Sequence, residues 1–562
     1  MPGDLDSHPV EHLADAEPRS GATAPRASTS PFVPFRQPIF RAVWLATVVA
    51  NFGNLIQAVA ASWLMTTIAT SPDMVALVQA STTLPVMLFS LAAGALSDNY
   101  DRRLIMLTAQ GFMCAVSTAL AVLAWLGLIG PWQLLTFTFL IGCGVALNNP
   151  AWQSSVGDMV PRQDIPAATI VNSAGFNFAR SIGPALGGLI VASAGAAVAF
   201  VINAMSYVAL IVVLARWRPV RPKRLLPRET MGIAMSAGLR YVAMSPNILS
   251  VILRGCAFGF GGIVVLALLP LIARDLVKGG PLIYGILLGG YGIGAIVGAF
   301  LAARLRQTLT TEVLVRATFV VFAVAVAIAA VSTQMWSSLL ATLAAGACWV
   351  LTLSTFNATV QLSAPRWVVG RALSLYQMAT FGGMAGGSWM WGWLTLHFGT
   401  EQALLAAAGA LLVGAGLGYR SPLPPLTALN LDPLSRWREP QIAVDIEPRS
   451  GPIIVTIEYL IRDEDVFAFL DAMAERRRIR RRDGARQWTL LRDLANPELW
   501  IERYETPTWV EYIRHNQRIT QADAEIGDRL RALHRGPNPP VAHRLIERQV
   551  TAPPRQRLPK QE

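Results

Sequence analysis

The sequence predicts an all-α polytopic membrane protein of twelve crossing helices in two six-helix repeats, followed by a soluble α+β domain. Three observations carry this reading. Of 562 residues, 53% are hydrophobic and 15% charged, with mean hydropathy +0.43, whereas a soluble domain carries roughly 25% charged residues. The charge is also divided unevenly: residues 39–429 hold 21 Lys/Arg and 9 Asp/Glu, and residues 430–562 hold 23 and 21. Finally, a shift of 204 residues lays Gly94 on Gly298, Arg102 on Arg306, Gly142 on Gly346, Pro161-Arg162 on Pro365-Arg366, Gly183 on Gly387 and Gly188 on Gly392. Two parallel six-helix halves about an axis along the membrane normal are a transporter architecture. Basic residues strewn over short connectors exclude a nucleic-acid-binding face, which needs them clustered on a soluble surface.

Residues 1–38, rich in Pro, Ser, Ala and acidic groups, are expected to form a disordered tail without the basic and apolar regions of a signal peptide. Spans of about 20 apolar residues cross a bilayer. Six lie in the N-terminal half, 39–215: residues 39–67, 74–96, 104–127, 131–151, 167–193 and 195–215. A connector, 216–246, separates them from six more in the half 247–420: residues 247–272, 281–303, 311–332, 334–358, 372–396 and 401–419. An even count puts both termini on one side. With the N-terminus cytoplasmic, 17 connector and flank Lys/Arg fall inside and only Arg274 and Lys278 outside, as the positive-inside rule requires. A Pro-rich linker (421–449), a folded domain (450–550) and a disordered end (551–562) follow. Cys114, Cys143, Cys256 and Cys348 all sit in apolar runs and read as core residues. No metal, cofactor or nucleic acid is expected.

The motifs give candidate functional residues. After the second span comes Gly94-Ala-Leu-Ser-Asp98-Asn-Tyr-Asp-Arg102-Arg103. It resembles the loop signature between helices 2 and 3 of the major facilitator superfamily, departing from it at Asn99 and Asp101. A small residue for close helix approach, with Asp98, Arg102 and Arg103 at the rim, reads as a conformational latch; the alternative is a topology signal. In the fifth span Gly175, Ala179, Gly183-Pro184 and Gly187-Gly188 recur every four residues, which puts small residues on one face for tight packing. This is similar to the helix 5 signature of major facilitator antiporters, and that resemblance implies export.

Polar residues deep in a span mark either cavities or interhelical contacts. Asn54 and Gln57, three apart and so on one helix face, are the preferred cavity pair, with Asn177, Tyr376 and Gln377 as further candidates. Arg180 is either a packing residue or a site for an anionic group. Arg254, two turns inside its span, is expected to snorkel to the surface. No Asp or Glu lies deep in a span, so the sequence names no coupling ion.

Asn148-Asn149-Pro150-Ala151-Trp152-Gln153, Val160-Pro161-Arg162 and Asn177 to Pro184 together resemble the transmembrane secretion effector branch, which includes enterobactin exporters. The resemblance covers residues 39–420. It implies the major facilitator fold, a multi-pass protein of the bacterial inner membrane, and alternating-access export of a small amphipathic molecule such as a siderophore.

The tail reads strand 453–461, helix 464–482, strands 488–494 and 499–504, helix 508–533 and strand 541–547, the β-α-β-β-α-β order of a ferredoxin-like domain. It resembles the antibiotic biosynthesis monooxygenase family, whose members pair through their sheets. That implies either a homodimer without chemistry or, with Trp488, Trp500 and His515, a membrane-anchored cofactor-independent oxygenase. Arg476 to Arg482 reads as a solvated helix face or a contact to anionic lipid.

Overall fold

A computed structural model describes residues 33–161, 164–218, 231–365, 367–423, 440, 442, 444 and 446–547; within it the side chains of Asp98, Asn177 and some others lie outside the described residues. The N-terminal half holds α1 (Pro38–Ile68), α2 (Pro72–Asn99), α3 (Arg102–Trp125), α4 (Pro131–Met159) and α5 (Ile165–Arg216). A 13-residue helix, α6 (Met231–Ala243), leads into α7 (Pro246–Leu271), α8 (Pro281–Thr308), α9 (Thr311–Val331), α10 (Met335–Ser363), α11 (Val369–Phe398) and α12 (Thr400–Arg420). Proline opens α1, α2, α4, α7 and α8, where its missing N–H has no intrahelical partner to lose. Asp101 and Thr310 cap α3 and α9 by accepting the N–H of Arg103 and Val313.

Among the described residues, ten helices are long and apolar enough to cross a membrane. One of them, α5, is 52 residues long and leaves helical geometry at Gly195, where φ is 82°. Gly399, with φ 93°, makes the same break between α11 and α12. Only glycine enters that region without cost. These two glycines are 204 residues apart, and so are Pro131 and Met335, which open α4 and α10. The first three pairs of helix starts differ: Pro38 against Pro246, Pro72 against Pro281 and Arg102 against Thr311, an offset of 208 or 209. The repeat register is therefore 204 in its later helices and slips by about one turn in its earlier ones. The matches of Gly94 with Gly298 and Arg102 with Arg306 fall in the slipped part and are not equivalent helix positions.

The halves meet along two seams, α2 with α11 and α5 with α8. Lipid supplies no hydrophobic drive between helices, so contact area at small residues does the work. A Cβ on Gly188 would lie 2.7 Å from the Pro281 carbonyl oxygen and 3.0 Å from the Gly285 Cα. At the end of the bundle away from the C-terminal unit, Arg274 donates to the Thr66 carbonyl at 2.8 Å and Trp63 stacks on Tyr284. Inside the C-terminal half, Phe258 packs against Phe319, Phe322 and Trp349 at centroid distances of 5.0 to 5.5 Å.

The C-terminal unit is β1 (Ile453–Leu460), α13 (Val466–Arg482), β2 (Arg486–Arg492), β3 (Leu499–Thr506), α14 (Trp509–Gln517), α15 (Gln521–Leu533) and β4 (Ala542–Ile546). Its antiparallel sheet runs β2-β3-β1-β4. Ile453, Val455, Ile457 and Tyr459, alternate residues of β1, are buried with Phe469 and Met473 of α13. The single helix expected over 508–533 is two, the second capped by Thr520 and Asp523.

Gly346 tests the packing argument. A Cβ there would overlap the Tyr291 backbone, whereas one on Gly386 meets nothing within 4 Å. Gly346→Ala is expected to lower stability by about 1–3 kcal/mol, the range for overpacking, and Gly386→Ala to leave the melting temperature of the detergent-solubilised protein unchanged.

Candidate substrate cavity

A cavity of about 330 Å³ lies inside the N-terminal half, walled by α1 to α4 with Phe176 and Leu210 of α5. Asn51, Asn54, Gln57, Gln79, Gln110 and Asn148 supply much of its polarity, and no charged side chain lines it among the described residues. Gly53 makes room behind this wall, since a Cβ there would collide with Ser206 and Asn203.

The amides are held from behind. Ser117 donates its hydroxyl to Gln57 Oε1 at 2.7 Å, and Asn203 Nδ2 donates to the same oxygen. Tyr207 donates its hydroxyl to Asn54 Oδ1, while Asn203 Nδ2 lies 3.2 Å from the Tyr207 oxygen. Gln110 Nε2 donates to Asn148 Oδ1 at 3.2 Å. The amide oxygens of Asn54, Gln57 and Asn148 are thereby occupied, which matters because a buried polar group left unpaired costs about 1–3 kcal/mol.

Of the residues named from the sequence, Asn54 and Gln57 line this cavity. Tyr376 and Gln377 do not: Tyr376 is buried in the other half, 6.4 Å from Phe356 and against the Gly255 backbone. Arg180 is also absent from the lining. Its guanidinium lies 5.7 Å from the centre of the Tyr291 ring, and its carbonyl faces Gly292 on the α5–α8 seam. The Asn177 side chain lies outside the described residues. Gln79, Gln110, Ser117, Asn148 and Tyr207 were not picked as site residues from the sequence, although Gln110 and Ser117 stand seven apart, two helical turns, in an otherwise apolar helix.

The glycines of α5 divide their work. Gly175 faces Trp44 and Val48, Gly183 faces Leu55, and Gly187 faces Ile56 and Val59, all on α1; Gly188 alone turns to α8. Pro184, inside the helix, has its carbonyl 2.8 Å from where a Gly285 Cβ would stand. In the loop motif, Gly94 faces Ser374 of α11 across the seam. Arg102 pairs with Asp158 at 3.0 Å, and Arg103 donates to the carbonyls of Leu214 and Ala215 at the end of α5. These partners belong to the same half. The Asp98 side chain lies outside the described residues.

Arg254 does not reach the surface. It is wholly buried and pairs with Glu312, which also binds Arg316 and accepts the N–H of Leu423 beyond α12. A carboxylate at the very start of α9 pairs with it inside the bundle, in place of snorkelling.

The C-terminal unit contains a second buried charge cluster. Glu502 accepts from Arg480 Nε at 3.2 Å, Trp488 Nε1 at 3.0 Å and the Tyr459 hydroxyl at 3.3 Å, with Arg476 at 3.7 Å. Burial works to raise its pKa, but Arg480 and Arg476 hold the carboxyl below the ordinary range. His515 is buried with Nε2 2.8 Å from Arg480 Nη1. Guanidinium only donates, so His515 accepts and is neutral; burial, then Arg480, pushes its pKa well down. The run Arg476 to Arg482 is likewise only partly solvated. Arg482 pairs with Asp483 and Asp523 and covers Tyr241 of α6 at 5.0 Å, and Arg518 covers Trp367 at 4.1 Å. The C-terminal unit is seated on the bundle by these contacts.

Comparison with known proteins fits this architecture. A family profile described as transmembrane secretion effector, of the major facilitator superfamily, matches residues 29–551. The chain belongs to that family and is a transporter, and the match runs past the bundle into the C-terminal unit, beyond the 39–420 that the motifs covered. It is 26% identical over 415 residues to the enterobactin exporter EntS of Salmonella typhimurium, covering 72% of this chain and 94% of that one. It is 26% identical to the uncharacterized MFS-type transporter YfiS of Bacillus subtilis (61% and 82%) and 23% identical to macrolide efflux protein A of Enterococcus faecalis (39% and 68%). In fold it resembles a bacterial homologue of the lysosomal transporter Spinster, with TM-score 0.57, 14% identity and coverage of 69% and 97%. An oxygenase draws no support from these relatives.

Two predictions follow from the charge clusters. Glu312→Gln strands two guanidinium groups and should cost about 3–5 kcal/mol, whereas Arg254→Met with Glu312→Gln should recover part of it; thermal unfolding measures both. In the C-terminal unit, unfolded His515 takes up a proton below about pH 6.5 and folded His515 does not, so stability falls on acidification by about 1.4 kcal/mol per pH unit. Asp483, raised to about 6 mainly by burial against the pull of Arg482, binds its proton first in the folded state and offsets the loss below pH 6. His515→Asn should remove the fall between pH 7 and 6, measured by melting against pH.

Proposed function

We propose that this protein is a secondary exporter that moves a small amphipathic molecule by alternating access, with the N-terminal cavity as its binding site. The carrying observation is that cavity: amide-rich, apolar elsewhere, and adjoining helices of both inter-half seams. The functions of two relatives, enterobactin export and macrolide efflux, support the direction and the substrate size.

In this reading twelve helices cross the membrane, with α5 counted as two about Gly195 and the 30-residue α11 added to the apolar ten. Both termini are cytoplasmic, on the basic-residue distribution. Arg180 serves the α5–α8 seam. Asp98, Arg102 and Arg103 latch the loop where Gly94 meets Ser374. The C-terminal unit is a ferredoxin-like domain, supported by its strand order, and its place against α6 and Trp367 lets it regulate the carrier. Its open sheet face is the surface through which two copies pair.

Metabolites inside and outside cells that lack or regain the gene test this. A compound retained by the deletion strain, released on complementation, and retained again with well-expressed Asp98→Asn is the expected result. Equal distribution in all strains overturns export, and normal release by Asp98→Asn overturns the latch.

A further inference from the structure

We infer that the cavity selects an uncharged ligand through that ligand's hydrogen-bond acceptors, with the side-chain NH2 groups of Asn54 and Gln57 as the donors. This rests on the cavity's being the transport site.

The amide atoms already occupied decide what the wall offers. Gln57 Oε1 already receives hydrogens from Ser117 and Asn203, and Asn54 Oδ1 receives that of Tyr207. The Tyr207 hydroxyl can give its hydrogen only to Asn54, because its own oxygen faces the Asn203 NH2 at 3.2 Å. A carboxamide with its oxygen tied back presents its nitrogen on the other side. Neither Asn54 Nδ2 nor Gln57 Nε2 has a protein partner among the described residues, and neither is sealed from solvent. Both residues line the cavity. The wall therefore offers two NH2 groups, four hydrogens in all, to whatever enters.

Two other polar atoms of the wall stay out of reach. Gln110, 3% exposed, donates its Nε2 to Asn148, and its Oε1 and the Thr47 hydroxyl are sealed within the wall without a partner. Neither meets a ligand as the wall stands, so the two NH2 groups set the complementarity. The ligand is then a neutral framework of carbonyl or ester oxygens.

The other half supplies no alternative. At the helix-start offset of 208, Asn54 and Gln57 correspond to Gly262 and Val265; at the offset of 204, Asn203 and Tyr207 correspond to Ala407 and Leu411. The donor-bearing network exists in one repeat only, and its counterpart is buried apolar packing. Tyr207 is a positioning residue: it acts on the ligand through Asn54.

Isothermal titration of the full-length protein in detergent tests this with two uncharged ester-bearing probes, iron-free enterobactin and erythronolide B, and with erythromycin, whose amine is protonated. Gln57→Glu and Asn54→Asp keep the acceptor for Ser117, Asn203 or Tyr207 and remove the donor. Each is expected to weaken the uncharged probes at least tenfold while raising affinity for erythromycin, a reversal that loss of packing would not produce. Tyr207→Phe frees the Asn54 amide to turn and should weaken the uncharged probes by a smaller factor without the reversal. Ala58→Trp fills the cavity. Unchanged binding in Ala58→Trp overturns the site itself. Binding abolished there but unaltered in Gln57→Glu and Asn54→Asp overturns the donor assignment alone, and failure of both uncharged probes to bind the unmodified protein overturns the ligand class.

Discussion

Close approach of helix backbones is the contact on which the rest of this protein depends. In a bilayer the tails of lipids are as apolar as leucine, so helices associate through contact area and hydrogen bonds. Gly188 against Gly285, Gly346 against Tyr291 and Gly294 against Leu343 each bring main chain onto main chain with no room for a methyl group. Two of these contacts build the C-terminal half, and the first joins the halves.

The two halves share a helix plan and differ in polarity. The later helices keep one register, down to the two glycines with positive φ, so the repeat is a property of the backbone. The interior is another matter. In one half, Ser117, Asn203 and Tyr207 orient amides around a cavity; in the other, Phe258, Phe319, Phe322 and Trp349 fill the space.

Two buried ion pairs join separate elements of this protein. Arg254 and Glu312 tie α7 to α9 and to the chain leaving α12, and Glu502 sits among Arg480, Trp488 and Tyr459. The C-terminal unit reaches the bundle through arginines over aromatic rings, contacts worth roughly 0.5–2 kcal/mol each. A few such contacts hold the unit against α6 and Trp367.

The helices were legible because apolar runs and prolines are local signals: the expected span 131–151 begins at the Pro131 that opens α4, and the division at residue 194 falls beside Gly195. The strand order of the tail and the amide pair Asn54 and Gln57 were legible for the same reason. What lies across the bundle was not. Spacing along a chain does not say that Arg254 finds Glu312, that Tyr376 packs into a core, that Arg180 serves a seam, or that His515 lies beneath Arg480. A buried polar side chain is defined by its partner, and the partner comes from another helix 30 to 150 residues away. By itself the sequence determined where the long helices and the strands run and that the plan repeats, but not α6 within the connector or the break between α14 and α15. Tertiary structure alone decided where polarity is paired and where it is left open to a ligand, because only the assembled bundle brings donor to acceptor.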